Sequence, residues 1–305
     1  MVENYEMLEY IVQKGKELGY VFSVTSNGYD LDKYMDYLEE NSKIFSFQIT
    51  IDGVEDIHNE RKPHYRNKDS FAKITSNVDS LLKLGISVSI RINTDPYTME
   101  RADELLDYFK EKGWLQYQNF KAYYALLRKE VPIKGENGEY SKEMFTQSSF
   151  FCTYLQKGLE KQGCGKVMCQ DYSVRSVLTN MLLGKSTPYK SHFCGAQSGM
   201  IIFDPLGDIY SCWDVVGQRE YRVGHYMPDF VLEDTFADKW FDSRVSKFSC
   251  IKCKYVLFCG GGCLANAIRT TGNLQSGTCN DYPRLFNAEI KYIYNEKIKK
   301  GIDEN

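Results

Sequence analysis

The sequence predicts an α/β protein: a parallel sheet or β/α barrel in its first half, followed by a small cysteine-rich module. Three observations carry this. Strand and helix patterns alternate three times before residue 114. All ten cysteines fall between Cys152 and Cys279, leaving residues 1–151 without one. Polar residues recur at the C-terminal ends of the strand patterns, where β/α folds gather their ligands.

Residues 1–20 form an amphipathic helix with Met7, Leu8, Ile11 and Val12 on one face. The acidic residues in that stretch make it unlike a signal or transit peptide. Residues 20–28 read as a strand closing in Asn27-Gly28, and Leu31, Tyr34, Met35 and Leu38 then recur at helical spacing. A second strand, residues 45–53, ends in Asp52-Gly53. Ser70 is a candidate cap for a helix whose buried stripe is Phe71, Ile74, Val78, Leu81 and Leu82, stopped by Gly85. The third strand covers residues 86–93, and its helix starts near Thr98, buries Ala102, Leu105, Leu106 and Phe109, and ends at Gly113. Taken singly, Asn-Gly and Asp-Gly are turn chemistry. Polar Gln48, Thr50, Arg91 and Asn93 inside otherwise apolar strands need partners, and a ligand is one candidate. Three units are too few to close a barrel, so a sheet edge should await a partner or further strands.

Composition narrows the function classes. The chain is 43% hydrophobic and 26% charged with a net charge of -3, which gives no basic footprint for nucleic acid or an anionic membrane. No apolar run approaches the roughly 18 residues that span a bilayer. The chain reads as cytoplasmic, a reducing compartment in which clustered cysteines favour metal ligation over disulfides.

Seven cysteines follow a defined spacing: Cys194-x12-Gly207-x4-Cys212, a gap of 37, Cys250-x2-Cys253-x5-Cys259-x3-Cys263, then x15 to Cys279. Thiolates suit iron–sulfur clusters and zinc, and a Cys-x2-Cys turn serves both. Gly260-Gly261-Gly262 would let the backbone approach a bulky centre, and Gly207-Asp208 suits a hairpin that aims Cys212 back at the site.

This spacing resembles the SPASM domain, the C-terminal auxiliary-cluster module of radical S-adenosylmethionine (radical SAM) enzymes that modify peptides and proteins. The first half is similar to the same superfamily: SVTSNG resembles the fourth barrel strand, FQITIDG with His58 and Arg61 the fifth, and SIRIN the sixth. The resemblance implies a partial radical SAM β/α barrel over 1–128, from the fourth strand onward. A helical bridge over 129–190, a SPASM iron–sulfur domain with a β-hairpin and helices over 191–283, and a C-terminal helix over 284–305 follow. It implies one 4Fe–4S cluster on Cys250, Cys253, Cys259 and Cys279. A second would sit on Cys194, Cys212 and Cys263, one ligand short, with Cys152, Cys164 and Cys169 as candidates for the eighth position or an open iron in its place. Thr50 matches a serine that contacts the SAM carboxylate, and Ser26, Gln48, Arg91 and Asn93 would line the same cavity.

Two departures stand out. Sulfatase maturases place a basic aspartate directly after the second motif cysteine; here Trp213 stands there, which argues against sulfatase maturation. Asp214 comes next as a candidate acid or base, and Trp213 is a candidate to pack over a cluster. The three-cysteine site Cys-x3-Cys-x2-Cys and the Gly-Gly-Glu-Pro segment of radical SAM enzymes do not occur in these residues. The chain thus resembles such an enzyme without its first half-barrel, most simply a gene fragment or a mis-set start. SAM and a third 4Fe–4S cluster are then expected only in a full-length form, and the given chain should not cleave SAM. The expected partners are a peptide or protein substrate and an electron donor such as flavodoxin or ferredoxin. A non-catalytic two-cluster module for electron transfer or binding, and a zinc-stabilised scaffold, are the alternatives.

Overall fold

The computed structural model describes residues 4–127, 145–170, 174–187, 189–234, 237–279 and 281–295. The chain divides into two compact units, Met1–Gln170 and Asp171–Asn305.

The first unit is built on a wholly parallel sheet in the order β1 (Phe22–Ser26), β2 (Phe45–Thr50), β3 (Ser87–Thr94), β4 (Phe120–Leu126) and β5 (Val167–Cys169). Three of these strands were legible as runs; β4 and β5 are additions, and β5 lies inside the stretch expected to be a helical bridge. Helices fill every crossover, as parallel pairing requires: Met35–Glu40, Glu55–Arg61 with Phe71–Lys83, Pro96–Glu100 with Ala102–Glu111, and Gln147–Gln156 with Leu159–Gln162.

The sheet has two unlike faces. Phe45, Phe47 and Ile49 of β2, Val88, Ile90 and Ile92 of β3, and Phe120, Ala122 and Tyr124 of β4 are all buried. Helical stripes cover this face. A Cβ on Gly28 would touch both Ile49 and Ile74, and the Tyr124 hydroxyl donates to the Ala102 carbonyl at 3.1 Å. Each fully buried Ile or Phe here contributes about 2–3 kcal/mol of transfer free energy. The alternate residues Ser46, Gln48, Thr50, Ser89, Arg91, Asn93 and Tyr123 are only half-buried, and Ser23, Thr25 and Lys121 are exposed. Parallel sheets are ordinarily covered on both faces; this one presents a polar face.

Two helix starts differ from expectation. Ser70 does not cap its helix with its hydroxyl; Asn59 Oδ1 accepts from the backbone N–H of Ser70 at 2.9 Å and of Phe71 at 3.0 Å. An amide eleven residues upstream does what a local serine usually does. The helix read from Thr98 begins at Pro96, where Asp95 accepts from the Thr98 N–H at 2.8 Å and proline takes the first turn.

In the second unit, the helices Val174–Leu182 and Tyr282–Ile293 pack together, joined by Arg175 Nε and the fully buried Glu289 carboxylate at 3.4 Å. The lysine-rich tail beyond residue 295 lies outside the described residues. A small antiparallel sheet follows: β6 (Ile202–Phe203), β7 (Asp208–Tyr210), β8 (Gly224–His225) and β9 (Val231–Leu232). The expected hairpin is present, with Ile202 opposite Tyr210. Asp204 Oδ1 accepts from the N–H groups of Leu206 at 2.8 Å and Asp208 at 2.9 Å, which closes its turn. Ile209, Tyr210, Val223, Trp240, Phe248 and Leu264 make the core, and Cys194, Cys250 and Cys263 pack against it. Among the described residues, no helix is long and apolar enough to cross a membrane.

Candidate functional site

The seven motif cysteines fall into two sets. Cys253 and Cys279 act electrostatically on Cys250, and Cys279 and Cys250 on Cys259. Separately, Cys263 acts on Cys194, and Cys263 and Cys194 act on Cys212, with Asp214 a charged neighbour of both.

Short local structures aim each thiol. Cys250 lies within the turn Ser249–Lys252 and Cys253 ends it, the Cys253 N–H donating to the Cys250 carbonyl at 2.8 Å. Cys259 closes the helix Val256–Cys259, and Cys263 precedes the helix Leu264–Thr271. Cys194 opens the turn Gly195–Gln197, where buried Gln197 accepts from the N–H groups of Phe193 at 2.9 Å and Cys194 at 3.4 Å. Cys212 lies two residues past the end of β7. Gly277 lies so close to Cys250 that an added Cβ would sit 2.6 Å from its sulfur, which brings the Cys279 segment back to the first pair.

The glycine run has a different neighbour from the one expected. All three residues have positive φ, and a Cβ on Gly260 would meet the His192 carbonyl at 2.3 Å, on Gly261 the Phe248 ring at 2.4 Å, and on Gly262 the Thr278 carbonyl at 2.0 Å. The bare backbone makes room for protein, holding Cys259 and Cys263 at fixed separation. Spacing alone cannot distinguish these two uses of glycine.

Burial pushes the Cys194 and Cys250 thiols up, and those of Cys212 and Cys259 up to about 11. Such thiols are inert unless a metal cation displaces the proton and stabilises the thiolate. Among the described residues, no three His, Cys, Asp or Glu side chains gather tightly enough to hold a single metal ion. The donor chemistry and the looser two-set grouping fit thiolate-ligated clusters.

In the first unit, Gln48, Thr50, Arg91 and Asn93 lie on the polar face, with Thr50 opposite Arg91 and Arg91 opposite Tyr123. The Tyr123 hydroxyl donates to Gln48 Oε1 at 2.7 Å, and Arg91 Nε donates to Asn93 Oδ1 at 2.9 Å. Ser26 does not join them. Its Cα partner is Ile49, on the helix-covered face, and its Oγ accepts from the Gly28 N–H at 3.0 Å.

Several residues of this network had been given lesser roles. Asp52, read as a turn residue, is buried and its Oδ1 accepts from Asn93 Nδ2 at 2.9 Å and from the Asn93 N–H at 3.3 Å. The Asp52 N–H donates to Nδ1 of His58, which is wholly buried, and burial lowers that imidazole to about 4. Arg61 donates to the Asn93 carbonyl at 3.0 Å and pairs with Asp95. The spacing Asp52, His58, Arg61 was the available signal, and it marks a network that fixes Asn93 and through it Arg91.

No family model matches the chain. It is 22% identical over 285 residues to the serine-type anaerobic sulfatase-maturating enzyme of Bacteroides thetaiotaomicron, covering 86% of this chain and 66% of that protein, just under two thirds of its length. It is 24% identical over 273 residues to the cysteine-type anaerobic sulfatase-maturating enzyme of Clostridium perfringens, covering 86% and 70%. The structure of native anSMEcpe with bound AdoMet superposes with a TM-score of 0.67 at 18% identity, covering all of this chain and 82% of that one. Streptococcus suis SuiB bound to S-adenosylmethionine superposes at 0.59 and 14% identity, covering 87% and 60%. The chain is a relative of the radical SAM/SPASM maturases.

The radical SAM/SPASM likeness covers both units, whereas two further positions stand apart from the expectations. Trp213 is 71% exposed. Asp214, by contrast, has a side chain only 18% exposed, with Arg269 Nη2 at 3.8 Å. Cys152, Cys164 and Cys169 belong to the first unit; Cys152 and Cys164 are exposed and Cys169 is buried at the end of β5.

Proposed function

We propose that this chain is the C-terminal part of a radical SAM/SPASM maturase that modifies a peptide or protein, for example by forming a crosslink, and that it carries two auxiliary 4Fe–4S clusters. The observation that carries the reading is the sorting of seven cysteines into a set of four and a set of three. Cys250, Cys253, Cys259 and Cys279 hold one cluster; Cys194, Cys212 and Cys263 hold the other. Bound S-adenosylmethionine with a third 4Fe–4S cluster supplies hydrogen-atom abstraction, and the auxiliary clusters supply electron transfer or an anchoring point.

The residues of this chain bind and orient. Thr50 and Arg91, opposite one another on the polar face, suit a carboxylate such as that of SAM. Gln48, fixed by Tyr123, and Asn93, fixed by Asp52, would hold the remaining polar groups of the ligand. A peptide substrate is favoured because solved relatives are titled as complexes with the Kp18Cys peptide and with the precursor peptide SuiA. Trp213 after Cys212 argues for a substrate other than a sulfatase. The 305 residues hold no Cys-x3-Cys-x2-Cys, so by themselves they are expected to leave SAM intact; in the full form a flavodoxin or ferredoxin would deliver electrons in the cytoplasm.

Anaerobic reconstitution with iron and sulfide tests the reading. It should give brown protein with about eight irons per chain and no 5′-deoxyadenosine on adding SAM and reductant. Stoichiometric zinc without sulfide would overturn it in favour of a zinc-stabilised scaffold.

A further inference from the structure

We propose that the exposed rim of the four-thiol set, Cys250 to Leu257 together with Cys279, is a docking surface for an acidic electron-carrier protein of the ferredoxin kind. The inference rests on the cluster reading above and deepens it.

Charge is segregated in the second unit. Residues 243–280 contain no aspartate or glutamate but carry Arg244, Lys247, Lys252, Lys254 and Arg269. Residues 172–203 likewise hold no acidic side chain and carry Arg175, Lys185 and Lys190. In a chain of net charge -3 these are two long cationic stretches. They meet at the four-thiol set, where the Lys190 N–H donates to the Leu257 carbonyl at 2.7 Å and the Lys190 ammonium acts on the Cys259 thiol. Lys252 and Lys254 stand on either side of Cys253 in the chain, and both are exposed. Among the described residues neither pairs with a carboxylate. The nearest in sequence, Asp242 and Asp281, face Lys247 and Arg284.

The two thiol sets differ in access. Cys253 and Cys279 are exposed, whereas Cys212 is buried and Cys194 and Cys263 are half-buried. Ile251 is 45% and Leu257 41% exposed on the same segment as the two lysines. Small apolar contacts inside a charged margin suit a transient interface of modest area. Exposed ammonium groups are hydrated and screened, so they add little to holding a cluster. They do steer an acidic protein, over about one Debye length, ~8 Å at physiological salt. A carrier must bring its redox centre close to the cluster, and this set presents exposed thiols. In the step, one electron leaves a reduced 2Fe–2S ferredoxin and enters the oxidised 4Fe–4S cluster; no bond forms or breaks and no proton moves.

The full chain is reconstituted anaerobically as wild type, Lys252→Glu/Lys254→Glu, Lys252→Gln/Lys254→Gln and the control Lys16→Glu/Lys83→Glu, whose lysines are exposed in the first unit. Iron is counted in each. The probe is an acidic plant-type ferredoxin. Calorimetry follows binding and stopped-flow absorbance follows electron exchange, with reduced ferredoxin mixed into oxidised chain and the reverse, so that one direction runs downhill. Wild type should bind ferredoxin, and exchange should slow at least about tenfold between about 0.01 M and about 0.15 M salt. Lys252→Glu/Lys254→Glu should bind at least about tenfold more weakly and lose most of the salt dependence, with the control unchanged. A shifted cluster potential alone would leave the salt dependence in place. Iron-loaded wild type that does not bind ferredoxin, or binds it without exchange, overturns the proposal, as does charge-reversed protein that matches wild type. Binding of an oligoglutamate peptide at these lysines with no ferredoxin exchange would assign the surface to an acidic peptide and overturn it as well. Should the charge-reversed variant load no iron, the glutamine pair decides: weaker binding supports the docking role and unchanged binding overturns it. Wild type that takes up no iron with sulfide defeats the cluster reading itself, a separate outcome.

Discussion

The Thr278 hydroxyl donates to the Cys263 carbonyl at 3.1 Å, while the Thr278 N–H donates to the Gly261 carbonyl at 2.8 Å. Thr278 precedes Cys279, so one residue ties a cysteine of the four-thiol set to a cysteine of the three-thiol set. The two candidate cluster sites share a backbone support although their thiols are separate. Gly262 is the tightest point of that support.

Replacing Gly262 by alanine therefore disturbs both sites. Its Cβ would sit 2.0 Å from the Thr278 carbonyl, at a φ of 83° that L-residues rarely adopt. Iron bound on reconstitution should fall by more than half, and both sets of spectral features should weaken together. Gly272→Ala is the control: its φ is 68° but nothing lies within 4 Å. It should cost about 1 kcal/mol and leave the iron content unchanged.

Removing thiols should act set by set. Cys253→Ser takes one ligand from the four-thiol set, and Cys194→Ser takes one from the other. Each single variant should retain about half of the wild-type iron, from roughly eight to roughly four per chain, and the double variant close to none. Iron and sulfide analysis with electron paramagnetic resonance of the reduced proteins reads this out. Equal loss from both clusters in Cys253→Ser would contradict the division.

Legibility in the sequence followed length and periodicity. The runs 45–53 and 86–93 were readable because apolar and polar residues alternate over six or more positions. β5 has three residues, too few for any period, and in β4 the buried Tyr124 and Ala125 are adjacent and break the alternation. Ser26 pairs with Ile49, on the helix-covered face, a register that a five-residue strand does not reveal in the sequence. The seven cysteines stood out because they sit in or beside local turns whose spacing is the signal. Asp52 did not: its partners His58 and Asn93 lie 6 and 41 residues away.

The two faces of the sheet predict opposite mutational responses. Ile90 is fully buried against the helices, so Ile90→Ala should destabilise the chain by about 2–5 kcal/mol. Ser89, its neighbour in β3, lies on the half-exposed polar face, and Ser89→Ala should change stability by less than about 0.5 kcal/mol. Urea denaturation of the two variants measures both, and comparable losses would mean that the polar face is packed.

His58 makes the last prediction, on pH. Its imidazole is held at about 4 in the folded chain against an ordinary value of 6.5, chiefly by burial, with Lys62 adding and Asp52 and Asp69 opposing. The proton therefore prefers the unfolded chain, and falling pH favours unfolding. The stability that depends on neutral His58 is complete above pH 6.5, declines as pH falls from 6.5 toward 4, and is then lost. Between pH 7 and pH 5 the decline should be about 2 kcal/mol at 1.36 kcal/mol per pH unit. His58→Asn keeps an acceptor for the Asp52 N–H and has no proton to gain, so it should be less stable than wild type at pH 7 but lose less on acidification. Urea melts of the metal-free chain at the two pH values measure the difference. Parallel losses in wild type and variant would assign the acid sensitivity to other groups.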